Sequence, residues 1–169
     1  MTTRTFITAA VATVALAACA GDRTPPANEA QAADTVAAAA PAPAADEFTT
    51  PELTEMQRST TGLYSKDLLE GTGEPLKAGQ TAAVNYTGWL MDGTKFDSSR
   101  DPGREPFEVV DVGQAPVIPG WNEGLQGMKV GGRRLLVIPP GLAYSVAGMP
   151  PVIPPDATLV FNIELLQIK

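Results

Sequence analysis

Beyond residue 47 the chain offers one stretch with convincing helical periodicity, and its neighbours must be arranged to cover it. In Val117-Ile118-Pro119-Gly120-Trp121-Asn122-Glu123-Gly124-Leu125-Gln126-Gly127-Met128-Lys129, Trp121, Leu125 and Met128 recur at i, i+4 and i+7. That spacing places them on one helical face. Pro119 suits the start, Asn122 and Glu123 the first turn and Lys129 the last, and Gly131-Gly132 is expected to stop the helix. A helix of roughly ten residues is marginal alone in water, so other elements must bury its apolar face. The flanking segments read as strands, and the helix is expected to lie across a curved sheet with Trp121 at its centre. Taken alone, Trp121 is either a plain core aromatic or part of a site.

The strands follow from alternation and turn chemistry. Residues 61–69 read as a strand closed by Gly71-Thr72-Gly73. That Gly-x-Gly is not a phosphate loop, because no helix follows and Glu74 comes next. Residues 81–90 set Ala82, Val84, Tyr86 and Leu90 on one face against Asn85 and Thr87 on the other. Met91-Asp92-Gly93-Thr94 reads as a hairpin turn, from which the chain returns through Lys95-Phe96-Asp97. Residues 107–112, 133–138 and 159–168 complete the sheet, with Leu159, Phe161, Ile163 and Leu165 on the face toward the helix. Arg133 and Arg134 read as a solvated edge. Residues 139–158 form a long Pro- and Gly-rich connection without periodicity, a length that usually serves function.

Composition removes whole classes of chemistry. A net charge of -7 and a pI near 4.5 argue against nucleic acid. The chain has no histidine, which excludes Ser-His-Asp and Cys-His catalysis and most transition-metal sites. No metal and no cofactor are expected. The single cysteine, Cys19, excludes an intrachain disulfide.

Residues 1–18 read as an export signal, with Arg4 as a thin positive region and a short apolar run to Leu16. Leu16-Ala17-Ala18-Cys19 resembles the lipobox of bacterial lipoproteins, with Cys19 as the lipidated residue. The alternative is ordinary cleavage near Ala18 or Ala20, leaving a free thiol. Residues 19–47 are dominated by Ala and Pro and read as a disordered tether. Residues 48–60 are a lead-in with a short helical turn around 51–56, and residues 61–169 form the folded domain. The expected location is the bacterial cell envelope, lipid-anchored and facing the periplasm, with an outer-membrane position compatible with Ala20.

Four ordered stretches now stand together: Val84-Asn85-Tyr86-Thr87-Gly88, Asp92-Gly93-Thr94-Lys95-Phe96-Asp97-Ser98-Ser99, Val117-Ile118-Pro119-Gly120-Trp121 and Ile153-Pro154-Pro155-Asp156-Ala157-Thr158-Leu159-Val160-Phe161. Over residues 60–169 the chain resembles the FKBP-type peptidyl-prolyl cis-trans isomerases. The resemblance implies an α+β fold, an antiparallel curved sheet of five to six strands wrapped around one short α-helix. It also implies a pocket with Tyr86, Asp97, Ile118 and Tyr144 in the catalytic set. Phe96, Phe107, Val117, Trp121, Val152, Ile153 and Phe161 would line the substrate. Trp121 would be the floor, and the Ile118 N–H and the Tyr144 hydroxyl would donate to substrate carbonyls. Implied partners are proline-containing polypeptides and macrolides of the rapamycin type.

The chain departs from the family pattern, and two of the departures bear directly on the pocket. Ser145 stands where many members carry glycine after Ala-Tyr, so a left-handed backbone there would be strained or the loop reshaped. Pro102 stands where some members carry an arginine near the pocket aspartate. Asp97 itself has two readings, acting on the twisted carbonyl or capping the Ser98-Ser99 turn. An apolar rim of Ile118, Val152 and Ile153, with no Lys or Arg in the motif, is expected to favour large apolar residues before the proline. An isomerase of envelope proteins, a binding module or chaperone with little turnover, and a purely structural envelope protein are the competing functions.

Overall fold

The computed structural model describes residues 47–169. The export signal, Cys19 and nearly all of the expected tether lie outside the described residues. Seven strands form one antiparallel sheet: β1 (Gln57–Arg58), β2 (Tyr64–Leu69), β3 (Ala82–Leu90), β4 (Lys95–Ser98), β5 (Phe107–Val109), β6 (Arg133–Ile138) and β7 (Leu159–Ile168). Their order is β1-β2-β6-β7-β3-β4, with β5 also paired to β3. The excess over five or six has a simple origin. β4 pairs with residues 87–89 of β3 and β5 with residues 82–84, so the two are halves of one interrupted edge. β1 adds a two-residue strand beyond β2.

The one α-helix among the described residues, α1 (Pro119–Gly124), is six residues long. It is shorter than its apolar spacing suggested, yet Trp121, Leu125 and Met128 are all buried as the spacing required. The helix ends at Gly124, well before Gly131-Gly132, and the turn that follows it reaches Gly127. Gly127 adopts φ +75, and its N–H turns away to the Leu76 carbonyl at 2.9 Å. Lys129 therefore lies beyond the helix and pairs with Glu70.

Arg134 is no solvated edge either. Its side chain is 15% exposed, makes two bonds to Asp67 and donates to the carbonyls of Gly124 and Gln126 at the end of α1. Arg133, 7% exposed, is buried.

The inner face of the sheet carries Val84, Tyr86, Leu136, Ile138, Leu159, Phe161, Ile163 and Leu165, packed with Trp121, Leu125 and Met128 in one core. The face shared by Leu159, Phe161, Ile163 and Leu165 is the one toward the helix, as alternation predicts. The strand expected over 107–112 ends at Val109, because Asp111 takes φ 61 and breaks the extended run.

The outer face holds a second, smaller cluster of Trp89, Val137 and Val160, aligned across β3, β7 and β6. Residues 47–58 cross over it. Phe48 lies 6.0 Å from the Trp89 ring, Pro51 is buried, and Glu55 pairs with Lys66 at 2.5 Å before β1 joins β2. The short turn expected near 51–56 is a 3-10 turn at Leu53–Glu55.

Candidate active site

Five aromatic rings meet where α1 faces β3, β4 and β7. Trp121 sits 5.0 Å from Tyr86, 5.9 Å from Phe107 and 5.4 Å from Phe161, each nearly edge to face. Phe96 closes on Phe161 at 5.5 Å, again edge to face. Edge-to-face contact sets the positive ring edge against the negative ring face, so each pair adds to simple burial. The group is held by its elements. Alternation on β3 turns Tyr86 inward, and β7 does the same for Phe161. Gly88 leaves room between them, because a Cβ there would come within 2.8 Å of both the Phe96 and Phe161 rings. Trp121 is 4% exposed, and its indole N–H has no hydrogen-bond partner among the described residues.

The polar side of the cleft is built on Asp97. Its Oδ2 accepts from the Tyr86 hydroxyl at 2.5 Å, and its Oδ1 accepts from the Ser98 N–H at 3.0 Å and from Arg104 at 2.5 Å. Asp97 thus caps the start of the Ser98-Ser99 turn, and its other oxygen is bonded to the Tyr86 hydroxyl. Burial, and then the bond to Asp97, push the Tyr86 phenol up to about 12. Tyr86 therefore stays a neutral donor at ordinary pH. Burial and the charge of Asp97 raise the Tyr144 phenol as well.

Arg104 is a residue that the motifs did not reveal. Pro102 fills the place where some family members carry an arginine, but here the guanidinium arrives from two residues further on, and it also donates to the Ser98 carbonyl at 3.1 Å. The usable signal was a pair of arginines, Arg100 and Arg104, in the polar run after Asp97, of which Arg100 turns to Glu164 and Arg104 to Asp97. Half exposed, Arg104 adds a positive charge beside Asp97 from outside the four motif stretches.

Tyr144, Val117 and Ile118 are half-buried against the core beside these rings. Neither the Tyr144 hydroxyl nor the Ile118 N–H has a partner among the described residues, whereas the Ile118 carbonyl accepts from Trp121 at 3.0 Å. Phe107 contacts Tyr86 and Trp121 but is 41% exposed, so it flanks the cleft. Ile153, 1% exposed, belongs to the core beneath the rim. Val152 stands 45% exposed in its loop and is not packed against the core with the others. Ser145 does adopt a left-handed backbone, φ 52, and its carbonyl accepts from Asp156 at 3.1 Å.

Converging aromatic rings beside unspent hydrogen-bond donors define a class of site, one that can seat an apolar ligand group and hold its carbonyls. Comparison narrows the class. The profile of FKBP-type peptidyl-prolyl cis-trans isomerases matches residues 72–166. The chain is 50% identical over 107 residues to the FK506-binding protein of Neisseria meningitidis serogroup B, covering 63% of this chain and 96% of that one. It is 48% identical over 114 residues to the FKBP-type peptidyl-prolyl cis-trans isomerase FkpA of Escherichia coli, covering 68% of this chain and 40% of that one. The crystal structure of FkpA superposes with a TM-score of 0.62 over 70% of this chain and 53% of that one, at 47% identity. That of AtFKBP13 gives 0.62 over 68% and 99%, at 36% identity. The chain belongs to the FKBP-type peptidyl-prolyl cis-trans isomerases, and the activity that goes with the family is rotation about X–Pro peptide bonds.

Proposed function

We propose that the cleft accelerates X–Pro rotation in exported or envelope polypeptides by favouring the twisted amide over the planar one. The observation that carries this reading is the combination of five converging rings with two unspent donors, Ile118 N–H and Tyr144 hydroxyl. Amide resonance sets a barrier of ~18–20 kcal/mol. Twisting removes charge separation, so a dry pocket stabilises the twisted form relative to water, which is differential binding of the transition state. The proline ring would sit on Trp121 between Tyr86, Phe96 and Phe161. The Ile118 N–H and Tyr144 would hold the flanking carbonyls while the remaining half rotates. Asp97, fixed by Tyr86 and Arg104, would set the field at the rotating carbonyl. A thousandfold acceleration needs only about 4 kcal/mol, a scale that ring contacts and two hydrogen bonds can supply.

The location rests on sequence. A lipidated Cys19 at the lipobox would anchor the chain to a membrane, because several acyl chains give stable attachment where one does not. A protease-coupled or NMR exchange assay of the full chain on Leu-Pro and Phe-Pro peptides tests the activity, and a rapamycin-type macrolide should compete. Equal rates with and without protein leave only the binding-module reading, which the exposed Val146, Met149 and Val152 of the long loop would then explain. Membrane fractionation of wild type against Cys19→Ser tests the anchor.

A further inference from the structure

Residues 113–117 belong to no strand or helix, yet they deliver Val117 and the Ile118 N–H to the cleft. Irregular backbone must be fixed by something other than a ladder. Here the Asn122 side chain does it. Its Oδ1 accepts from the Gly113 N–H at 2.9 Å and the Ala115 N–H at 3.0 Å, and its Nδ2 donates to the Ala115 carbonyl at 2.9 Å. That same carbonyl accepts from the Val117 N–H at 2.8 Å in a three-residue turn, which leaves the Ile118 N–H as the next donor along the chain. Asn122 follows Trp121 directly on α1. Floor and donor thus share one short link through a single side chain.

We propose that Asn122 is a positioning residue for the isomerisation, fixing the Ile118 N–H against the Trp121 floor. The inference rests on the reading of that N–H as the grip on a substrate carbonyl. The amide suits the task because it uses one oxygen twice as acceptor and its nitrogen once as donor. Aspartate keeps both acceptor contacts but loses the donor and sets a carboxylate against the Ala115 carbonyl. Alanine loses all three. A shift of about 1 Å in a holding group can cost on the order of a hundredfold in rate.

The test compares Asn122→Ala, Asn122→Asp and Phe48→Ala in the full chain. It measures kcat/KM on a Leu-Pro peptide, melting temperature and the Ile118 amide cross-peak in a 1H–15N spectrum. Asn122→Ala should lower kcat/KM by about tenfold or more and move the Ile118 peak. Asn122→Asp should keep more activity than Asn122→Ala. Phe48→Ala, on the opposite sheet face, should lower the melting temperature and keep the wild-type rate. The inference is overturned by an Asn122→Ala protein within about twofold of wild type. It is equally overturned by lost activity with an unmoved Ile118 peak, or by the same loss in Phe48→Ala. An inactive wild type removes the isomerase reading itself, and the inference with it.

Discussion

Each face of the sheet has one tryptophan at its centre, and the two are covered in opposite ways. On the inner face Trp121 comes from α1 and is met by Tyr86, Phe107 and Phe161, three rings from three strands. On the outer face Trp89 comes from the sheet itself and is covered by Phe48, a residue of the lead-in. The inner cover leaves donors unspent and a cleft between rings. The outer cover is a strap that shields Trp89, Val137 and Val160, at 3%, 2% and 1% exposure, from water. Burial of an aromatic is therefore no sign of function in this molecule. The distinction lies in what remains unsatisfied beside it.

The sharpest way to blur that distinction is Phe161→Ala, because this ring belongs to both core and cleft. Losing a buried phenylalanine costs ~3–5 kcal/mol. Activity and stability should therefore fall together in melting and turnover measurements on one preparation.

The outer face should separate them. Phe48→Ala removes a half-buried ring worth about 1–2 kcal/mol, so denaturant midpoints should fall while kcat/KM stays at the wild-type value. Shortening residues 25–45 should alter neither, since their Ala- and Pro-rich composition offers little large apolar surface to bury. A changed turnover in Phe48→Ala would mean that the two faces are coupled through the sheet.

A smaller effect is expected at Asp97→Asn, which keeps shape and an acceptor for Tyr86 while removing charge. Turnover should slow several-fold with little change in melting temperature. Full activity in a stable Asp97→Asn protein would reduce Asp97 to the turn cap that its bond to Ser98 already makes it.

Smallest of all is the response to pH. The Tyr86 phenol is raised in the fold, so its neutral form is the favoured one. Its contribution to stability is complete below the ordinary tyrosine value of ~10 and fades as pH climbs toward about 12. With no histidine in the chain, kcat/KM should be flat between about pH 6 and 9, because no unperturbed side chain of the remaining types has its midpoint there except the single thiol. A bell-shaped profile in that window would break the account of a site that moves no proton.

The sequence made the inner face legible and left the outer face almost blank. Alternation over 159–168 places Leu159, Phe161, Ile163 and Leu165 on one side, and two-residue periodicity needs no tertiary information to be read. The same alternation in 81–90 puts Trp89 opposite Tyr86, but nothing local says what would cover it. Phe48 reaches Trp89 from an aperiodic segment that crosses the strands, so it leaves no repeating pattern. The early end of the helix was hidden for a related reason. Gly127 and Gly131 both adopt left-handed backbone, and nothing local foretells that the Leu76 carbonyl takes the Gly127 N–H in the turn just after the helix. Arg104 escaped because an arginine can reach a carboxylate from several sequence offsets, which motif spacing does not capture. Asn122 was read as a helix-start residue, while its side chain turned out to serve the segment before the helix.

With only two tryptophans in the chain, one per face, the protein carries a matched pair of optical reporters. Trp89→Phe would leave an emission that follows occupancy of the cleft, through an indole whose neighbours are Tyr86, Phe107 and Phe161. Trp121→Phe would leave one that follows undocking of the lead-in from the back of the sheet. Opening on the two sides could then be timed separately in the same stopped-flow instrument, with no dye attached.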